Sequence, residues 1–176
     1  MPLDETLPFV PLAMSLVTLS DTRDLTNDKS GDLLVAMIRD AGHSLHGRHL
    51  LKDSLDDIVG LLEKIKAEKK TSVVILNGGT GITARDITPE ALSLFAKNHH
   101  GKEIVGFGEL FRQLSYEKIG ASTVQSRAIG FVAGGMLLFA LPGSPSAVKD
   151  AWQMILLSQL DNRQRPCNFA ELLPRI

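Results

Sequence analysis

The stretch Thr71-Ser-Val-Val-Ile-Leu-Asn-Gly-Gly-Thr-Gly81 decides the fold class of this 176-residue chain. Thr71 to Leu76 is β-branched and apolar, the pattern of a strand covered on both faces by helices. Glycines then break the strand. Beyond them, Thr88-Pro89-Glu90 opens a helix through Phe95, with Thr88 as its cap and proline in its first turn. Strand, glycine loop and helix form the repeating unit of an α/β domain.

The same unit recurs on both sides of this stretch. Leu12 to Leu19 is a short apolar run behind two prolines and predicts the first strand. Ser30 is expected to cap a helix whose Leu33, Leu34, Met37, Ile38 and Ala41 share one face, with Gly42 as its stop. His46 to Leu51 reads as a second strand, and Leu55, Ile58, Val59, Leu62 and Ile65 recur at helical spacing up to the lysine-rich Lys64 to Lys70 end. Downstream, Phe107 to Lys118 predicts another helix. Ala128 to Ala133 and Met136 to Leu141 predict a hairpin, because Gly134-Gly135 can take the positive φ of a tight turn. Ser144-Pro145 begins a last long helix that buries Ala147, Val148, Ala151, Trp152, Ile155 and Leu156. The sum is one domain spanning residues 1–176, with residues 1–10 as a flexible N-terminal segment. Its expected form is a three-layer α/β/α sandwich with a mostly parallel central sheet and an antiparallel edge hairpin.

Composition narrows the function classes. At 44% hydrophobic and 22% charged residues the chain has ordinary globular usage, which argues against wholesale disorder. A formal net charge of -1 argues against broad electrostatic capture of nucleic acid, so an anionic ligand must be held by local groups. Cys167 is the only cysteine, which excludes an intramolecular disulfide or a thiolate zinc cage and fits a reducing compartment. It is expected to be a buried small hydrophobe. The first residues, with acids and prolines, do not resemble a secretory signal. The apolar run Ala128 to Pro142 is too short to span a membrane. A cytoplasmic protein without membrane association is expected.

In open α/β sheets, ligands sit beyond the carboxyl ends of the strands, so the loops after Leu19 and Leu76 are the candidate site. Asn77-Gly-Gly-Thr-Gly-Ile-Thr-Ala-Arg-Asp86 can turn sharply and present N–H groups to a phosphate. Gly78, Gly79 and Gly81 supply the turn, Thr80 and Thr83 add hydroxyl donors, Arg85 adds a fixed cation, and Asp86 adds an anion suited to magnesium. No Gly-Lys-Ser/Thr follows, so this is not a Walker loop. The acidic residue that would bind a nicotinamide ribose is also missing at the usual distance.

Five segments in order carry a resemblance: Leu19-Ser-Asp21 with Ser30-Gly31; Gly78-Gly-Thr-Gly-Ile-Thr-Ala-Arg-Asp-Ile-Thr-Pro-Glu-Ala91; Gly106-Phe-Gly-Glu-Leu-Phe-Arg112; Gln125-Ser-Arg127; and Leu141-Pro-Gly-Ser-Pro145. Over nearly its whole length the chain resembles the MoaB/Mog family of molybdenum cofactor biosynthesis proteins. Leu114 to Gly120 and Arg165-Pro-Cys-Asn-Phe169 look more like the MoaB branch. Asn77 stands where threonine is common in the family, and Val105 where proline often precedes Gly-Phe-Gly-Glu.

The resemblance implies a reaction in which the phosphate of molybdopterin attacks the α-phosphate of ATP and releases pyrophosphate, with Mg2+ as cofactor and ATP as cosubstrate. It implies Asp53 and Asp86 as catalytic and magnesium-holding carboxylates. It further implies Ser20, Asp21, Gly78, Gly79, Thr80, Gly81, Thr83, Ser126, Arg127, Pro142, Gly143 and Ser144 as substrate contacts. Family members assemble as homotrimers or homohexamers, and handover to a molybdenum-insertion protein is implied. The alternative function is a non-catalytic molybdopterin-binding or scaffold protein of the same pathway. Bland roles compete at several positions: Ser20 as a loop cap, Ser144 as a helix cap, Arg127 as a subunit bridge, and Glu109 with Arg112 as a surface ion pair one turn apart. His46 and His49 should point to opposite faces of a strand and so fail to share a metal. His99-His100 is expected in a solvated loop or at a subunit boundary.

Overall fold

A computed structural model describes residues 2–176; Met1, the first residue of the expected flexible segment, lies outside the described residues. Among the described residues six strands form one sheet: β1 (Ala13–Leu19), β2 (Ser44–Leu51), β3 (Val73–Asn77), β4 (Lys102–Glu103), β5 (Ile129–Ala133) and β6 (Met136–Leu141), in the order β2-β1-β3-β6-β5-β4. The pairs β2/β1, β1/β3 and β3/β6 are parallel, while β5 runs antiparallel to β6 and to β4. Gly134 and Gly135 turn the β5–β6 hairpin at φ of 61° and 78°, as their pairing predicts. The two-residue β4 lies beyond that hairpin and has no apolar pattern to announce it.

The sheet is covered by α1 (Lys29–Asp40), α2 (Leu55–Glu68), α3 (Thr88–Asn98), α4 (Val105–Ile119) and α5 (Pro145–Ala151). The last continues through a π-helical turn, Trp152–Leu156, into Leu157–Gln159. Alternation along the strands divides the core. Met14, Leu16, Val73, Ile75, Leu137 and Phe139 pack with Leu34 and Ile38 of α1, Phe107 and Phe111 of α4, and Val148 and Trp152. On the other face, Val17, Leu19, Val74, Leu76, Leu138 and Ala140 pack with Ile58, Leu62 and Ile65 of α2 and Leu92 and Phe95 of α3. Each such fully buried aliphatic or aromatic side chain contributes about 1.5–3 kcal/mol.

Two helix starts differ from the sequence expectation. Asp28, not Ser30, caps α1, accepting the Gly31 N–H at 2.9 Å; Ser30 already lies inside the first turn. Thr88 is the first residue of α3, and its hydroxyl donates to the Gly78 carbonyl at 2.8 Å, tying the helix start to the glycine loop. Ser144 does cap α5, through the Ala147 N–H. β2 carries a register shift opposite Met14 and Ser15. This bulge breaks strict alternation, so His46 lies 3.9 Å from Glu68 while His49 also feels the Glu68 charge. Even so, among the described residues no three His, Cys, Asp or Glu side chains are placed to hold a metal ion.

The N-terminal segment is tied to the C-terminal one: Leu3 forms a bridge with Gln164, and the Val10 N–H donates to Asn162. The Phe9 ring contacts both the ring of His43 and the Arg163 guanidinium. His99 is also tethered, sharing a hydrogen bond of 2.7 Å with Glu63 and packing its ring at a tilt of 51° against Phe95, rather than standing free in a loop. Cys167 is exposed, contrary to the expectation of burial. No helix among the described residues is long and apolar enough to cross a membrane.

Candidate active site

The carboxyl ends of β1, β3 and β6 are neighbours in the sheet, so the loops after Leu19, Asn77 and Leu141 meet. The first crossover leaves β1 toward β2 and the next returns past it to β3, which makes this the point where strand order reverses. Gly78 is locked here: its N–H donates to Leu141 O at 2.9 Å, its φ is +119°, and a Cβ at that position would lie 2.3 Å from Leu19 O. Gly79, at φ +63°, would put a Cβ 2.4 Å from Asp53 Oδ1 and 2.3 Å from Thr88 Oγ1. Only glycine lets these backbones approach so closely.

Asp53 follows β2 and folds over the Gly79 backbone. Its Oδ1 is buried and has no hydrogen-bond partner. Burial, followed by the nearby charges of Asp21 and Asp86, pushes its carboxyl above the ordinary range, with Arg85 opposing them. Asp86 lies against Gly81, whose Cβ position is 2.7 Å from Asp86 Oδ2. Burial raises the Asp86 carboxyl, but hydrogen bonds from the Thr83 hydroxyl (2.7 Å), the Thr83 N–H (2.9 Å) and the Gly81 N–H outweigh it and hold it low. Thus the loop brings together two carboxylates of opposite character, one starved of donors and one well supplied.

The other residues expected at the site divide by what already occupies them. Ser20 Oγ accepts the N–H groups of Thr22 and Arg23, so it closes the β1 loop. Asp21 is exposed and lies 3.7 Å from Arg85, whose side chain is 83% exposed and therefore not a fixed cation. Thr83 is spent on Asp86. Arg127 donates Nε to Gly81 O at 2.6 Å, its Nη atoms to Asp86 O and to Glu90, and its own N–H to Thr80 O. In this arrangement it braces the glycine loop. Arg112 donates to Ala128 O at 3.2 Å rather than pairing with Glu109.

Beside the loop lies a cavity of about 220 Å³ lined by Thr80, Gly81, Ser126, Pro142 and Ser144, with Phe111, Ile119 and Ala147 as apolar wall. Ser115, Ser122 and Thr123 add hydroxyls. Gly143 sits behind this wall, its Cβ position 3.3 Å from Gly78 Cα. A mainly apolar slot with a few polar groups suits a flat heterocycle.

Sequence reasoning missed a second buried network under the loops. Asp28 is fully buried and accepts from Thr18 Oγ1 (2.7 Å), Gly31 N–H and Arg48 Nη2 (3.1 Å). Arg23 donates to Ser30 Oγ at 2.9 Å and to Gly143 O at 3.0 Å, and Asn77 Nδ2 donates to Ser30 Oγ at 2.8 Å. The available signal was Asn27-Asp28 ahead of the helix, a pair of strong cap types.

Comparison with known proteins agrees with this architecture. Residues 12–162 match the family described as "Probable molybdopterin binding domain". The chain is 42% identical over 162 residues to molybdenum cofactor biosynthesis protein B of Escherichia coli (strain K12), covering 92% of each chain. It is 44% identical over 146 residues to the protein of the same name from Bacillus cereus, covering 82% of this chain and 84% of that one. A crystal structure of a molybdenum cofactor biosynthesis protein B superposes with a TM-score of 0.80 at 42% identity, over 86% of this chain and 92% of the other. The chain therefore belongs to the MoaB/Mog family of molybdenum cofactor biosynthesis proteins.

Proposed function

We propose that the protein binds molybdopterin and adenylylates it with MgATP. A phosphate oxygen of molybdopterin attacks the α-phosphorus of ATP, the bond to the bridging oxygen of the β-phosphate breaks, and pyrophosphate leaves with that electron pair. The observation that carries this reading is Asp53: a carboxylate with a buried, unpartnered oxygen, held against a glycine loop beside Asp86 and Asp21. A buried anion among anions asks for a cation. Magnesium characteristically takes one or two carboxylates and completes its shell with phosphate and water oxygens, so Asp53 and Asp86 fit it. When bound, it supplies positive charge to the polyphosphate.

The remaining work falls to the chain itself. Gly78, Gly79 and Gly81 admit phosphate oxygens close to the backbone, and Arg127 keeps the loop in shape. The slot between Thr80, Phe111, Ser126 and Pro142 fits the pterin, with hydroxyls facing its polar edges. Self-association as a homotrimer or homohexamer is part of the same reading, since Leu110, Tyr116, Ile119 and Val124 are exposed on α4 and the turn after it. Handover of the product to a molybdenum-insertion protein in the cytoplasm would follow.

The test is to incubate purified protein with MgATP and molybdopterin and to detect both adenylylated pterin and pyrophosphate by mass spectrometry. Both products should appear and both should vanish with chelator. Tight pterin binding with neither product would leave a binding or scaffold protein.

A further inference from the structure

The guanidinium of Arg23 is held where the three strand-end loops meet. Its Nη1 reaches Ser30 Oγ at the start of α1, and its Nη2 reaches Gly143 O after β6. A Cβ on Gly143 would lie 3.6 Å from Arg23 Nη1 and 3.3 Å from Gly78 Cα, so the cation lies beside the glycine loop. Its anchors are themselves fixed. Ser30 is buried and is also held by Asn77, and the carboxylate of fully buried Asp28 stands 3.9 Å from Nη1. The side chain is nevertheless 32% exposed. Two of its N–H donors are used, whereas a guanidinium carries about five.

Around the glycine loop three arginines compete for the role of anion ligand. Arg127 spends its guanidinium on Gly81 O, Asp86 O and Glu90. Arg85 is 83% exposed and only loosely paired with Asp21. Arg23 is pre-positioned and keeps about three free donors against about two on Arg127, whose charge is also matched by Glu90, and this favours Arg23 for bidentate recognition of a phosphate.

We infer that Arg23 grips a phosphate group of the substrate pair, either the polyphosphate of ATP or the phosphate ester of molybdopterin. This rests on the adenylyl-transfer reading for the identity of the ligands, but not for the existence of the grip. The buried Asp28, Ser30 and Asn77 set the angle of the fork, and Gly143 O holds it at the cleft.

Isothermal titration of the full protein with MgATP, inorganic pyrophosphate and molybdopterin, each separately, tests it with Arg23→Gln and Arg23→Lys variants whose thermal midpoints are recorded. Removal of a charge-assisted pair should weaken the gripped ligand roughly 10- to 100-fold in Arg23→Gln, with Arg23→Lys recovering part of the loss. Weakening of MgATP and pyrophosphate together assigns the grip to the polyphosphate, and weakening of molybdopterin alone assigns it to the ester. The inference is overturned if none of the three ligands binds the wild-type protein, or if all bind Arg23→Gln within twofold of wild type. It is also overturned if both variants lose affinity equally along with thermal stability, which would make Arg23 a loop tether. Arginine-dependent binding without turnover would sink adenylyl transfer and leave the grip standing.

Discussion

Two aspartates in adjacent loops at the same end of the sheet illustrate opposite uses of a buried carboxylate. Asp28 is fully buried; burial alone would raise its carboxyl, but Thr18, the Gly31 N–H and Arg48 more than offset this and hold it below the ordinary value. Asp53 is less deeply placed, yet its Oδ1 has no partner, and burial with Asp21 and Asp86 pushes its carboxyl up. Asp28 is satisfied by the chain and therefore stabilises the fold. Asp53 is left unsatisfied by the chain, which costs stability and leaves a site for an outside ligand.

The largest expected stability effect falls on Asp28. Asp28→Ala removes the α1 cap and one of the two carboxylates on Arg48, which keeps Asp32 at 2.8 Å, so urea unfolding should show a loss of about 3 kcal/mol. The pH dependence sharpens this. Because the folded carboxyl of Asp28 is lowered from 3.8, its contribution is full above that value and is lost as pH falls through the folded pKa. The gap between wild type and Asp28→Ala should therefore narrow as pH falls below 3.8; a gap constant with pH would break the assignment to the ionised form. Next comes Gly79→Ala, which forces a side chain into φ +63° and against Asp53 and Thr88. It should cost about 2 kcal/mol in the same titration, and a neutral result would mean the loop relaxes freely. The smallest effect has the opposite sign. Asp53→Asn removes a carboxyl whose folded pKa is raised, so the penalty it relieves is absent below 3.8 and grows as pH rises through the folded value. Thermal scans of the ligand-free protein should show the variant melting roughly 1–3 °C higher at neutral pH and level with wild type near about pH 4.

How much of this was legible in the sequence depends on whether local pattern or tertiary contact fixed each residue. Thr71 to Leu76 announced β3 because a strand covered on both faces must be continuously apolar, and the paired Gly134-Gly135 announced its hairpin because a tight turn demands positive φ. The two-residue β4 gives no period to detect. Asp28 and Ser30 are both good cap types two residues apart, and only the observed Asp28 bond to the Gly31 N–H distinguishes them. The bulge in β2 invalidated simple alternation for His46 and His49. At the site, Asp53 and Asp86 lie against Gly79 and Gly81. What the sequence could not say is which polar groups are already engaged: Arg127 donating to Gly81 O and Asp86 O, and the Ser20 oxygen accepting N–H groups of its own loop. Arg23 was invisible for the converse reason, since Gly143, which holds its guanidinium at the cleft, lies 120 residues away in the chain.

Whether Asp53 gives up stability for the proposed chemistry is tested most directly by pyrophosphate release from Asp53→Asn with MgATP and molybdopterin, alongside a thermal scan of the same sample. The account predicts a variant at least as stable as wild type whose turnover falls by roughly a thousandfold, the scale expected when a group that offsets reacting charge is lost. A variant that releases pyrophosphate at the wild-type rate would contradict it.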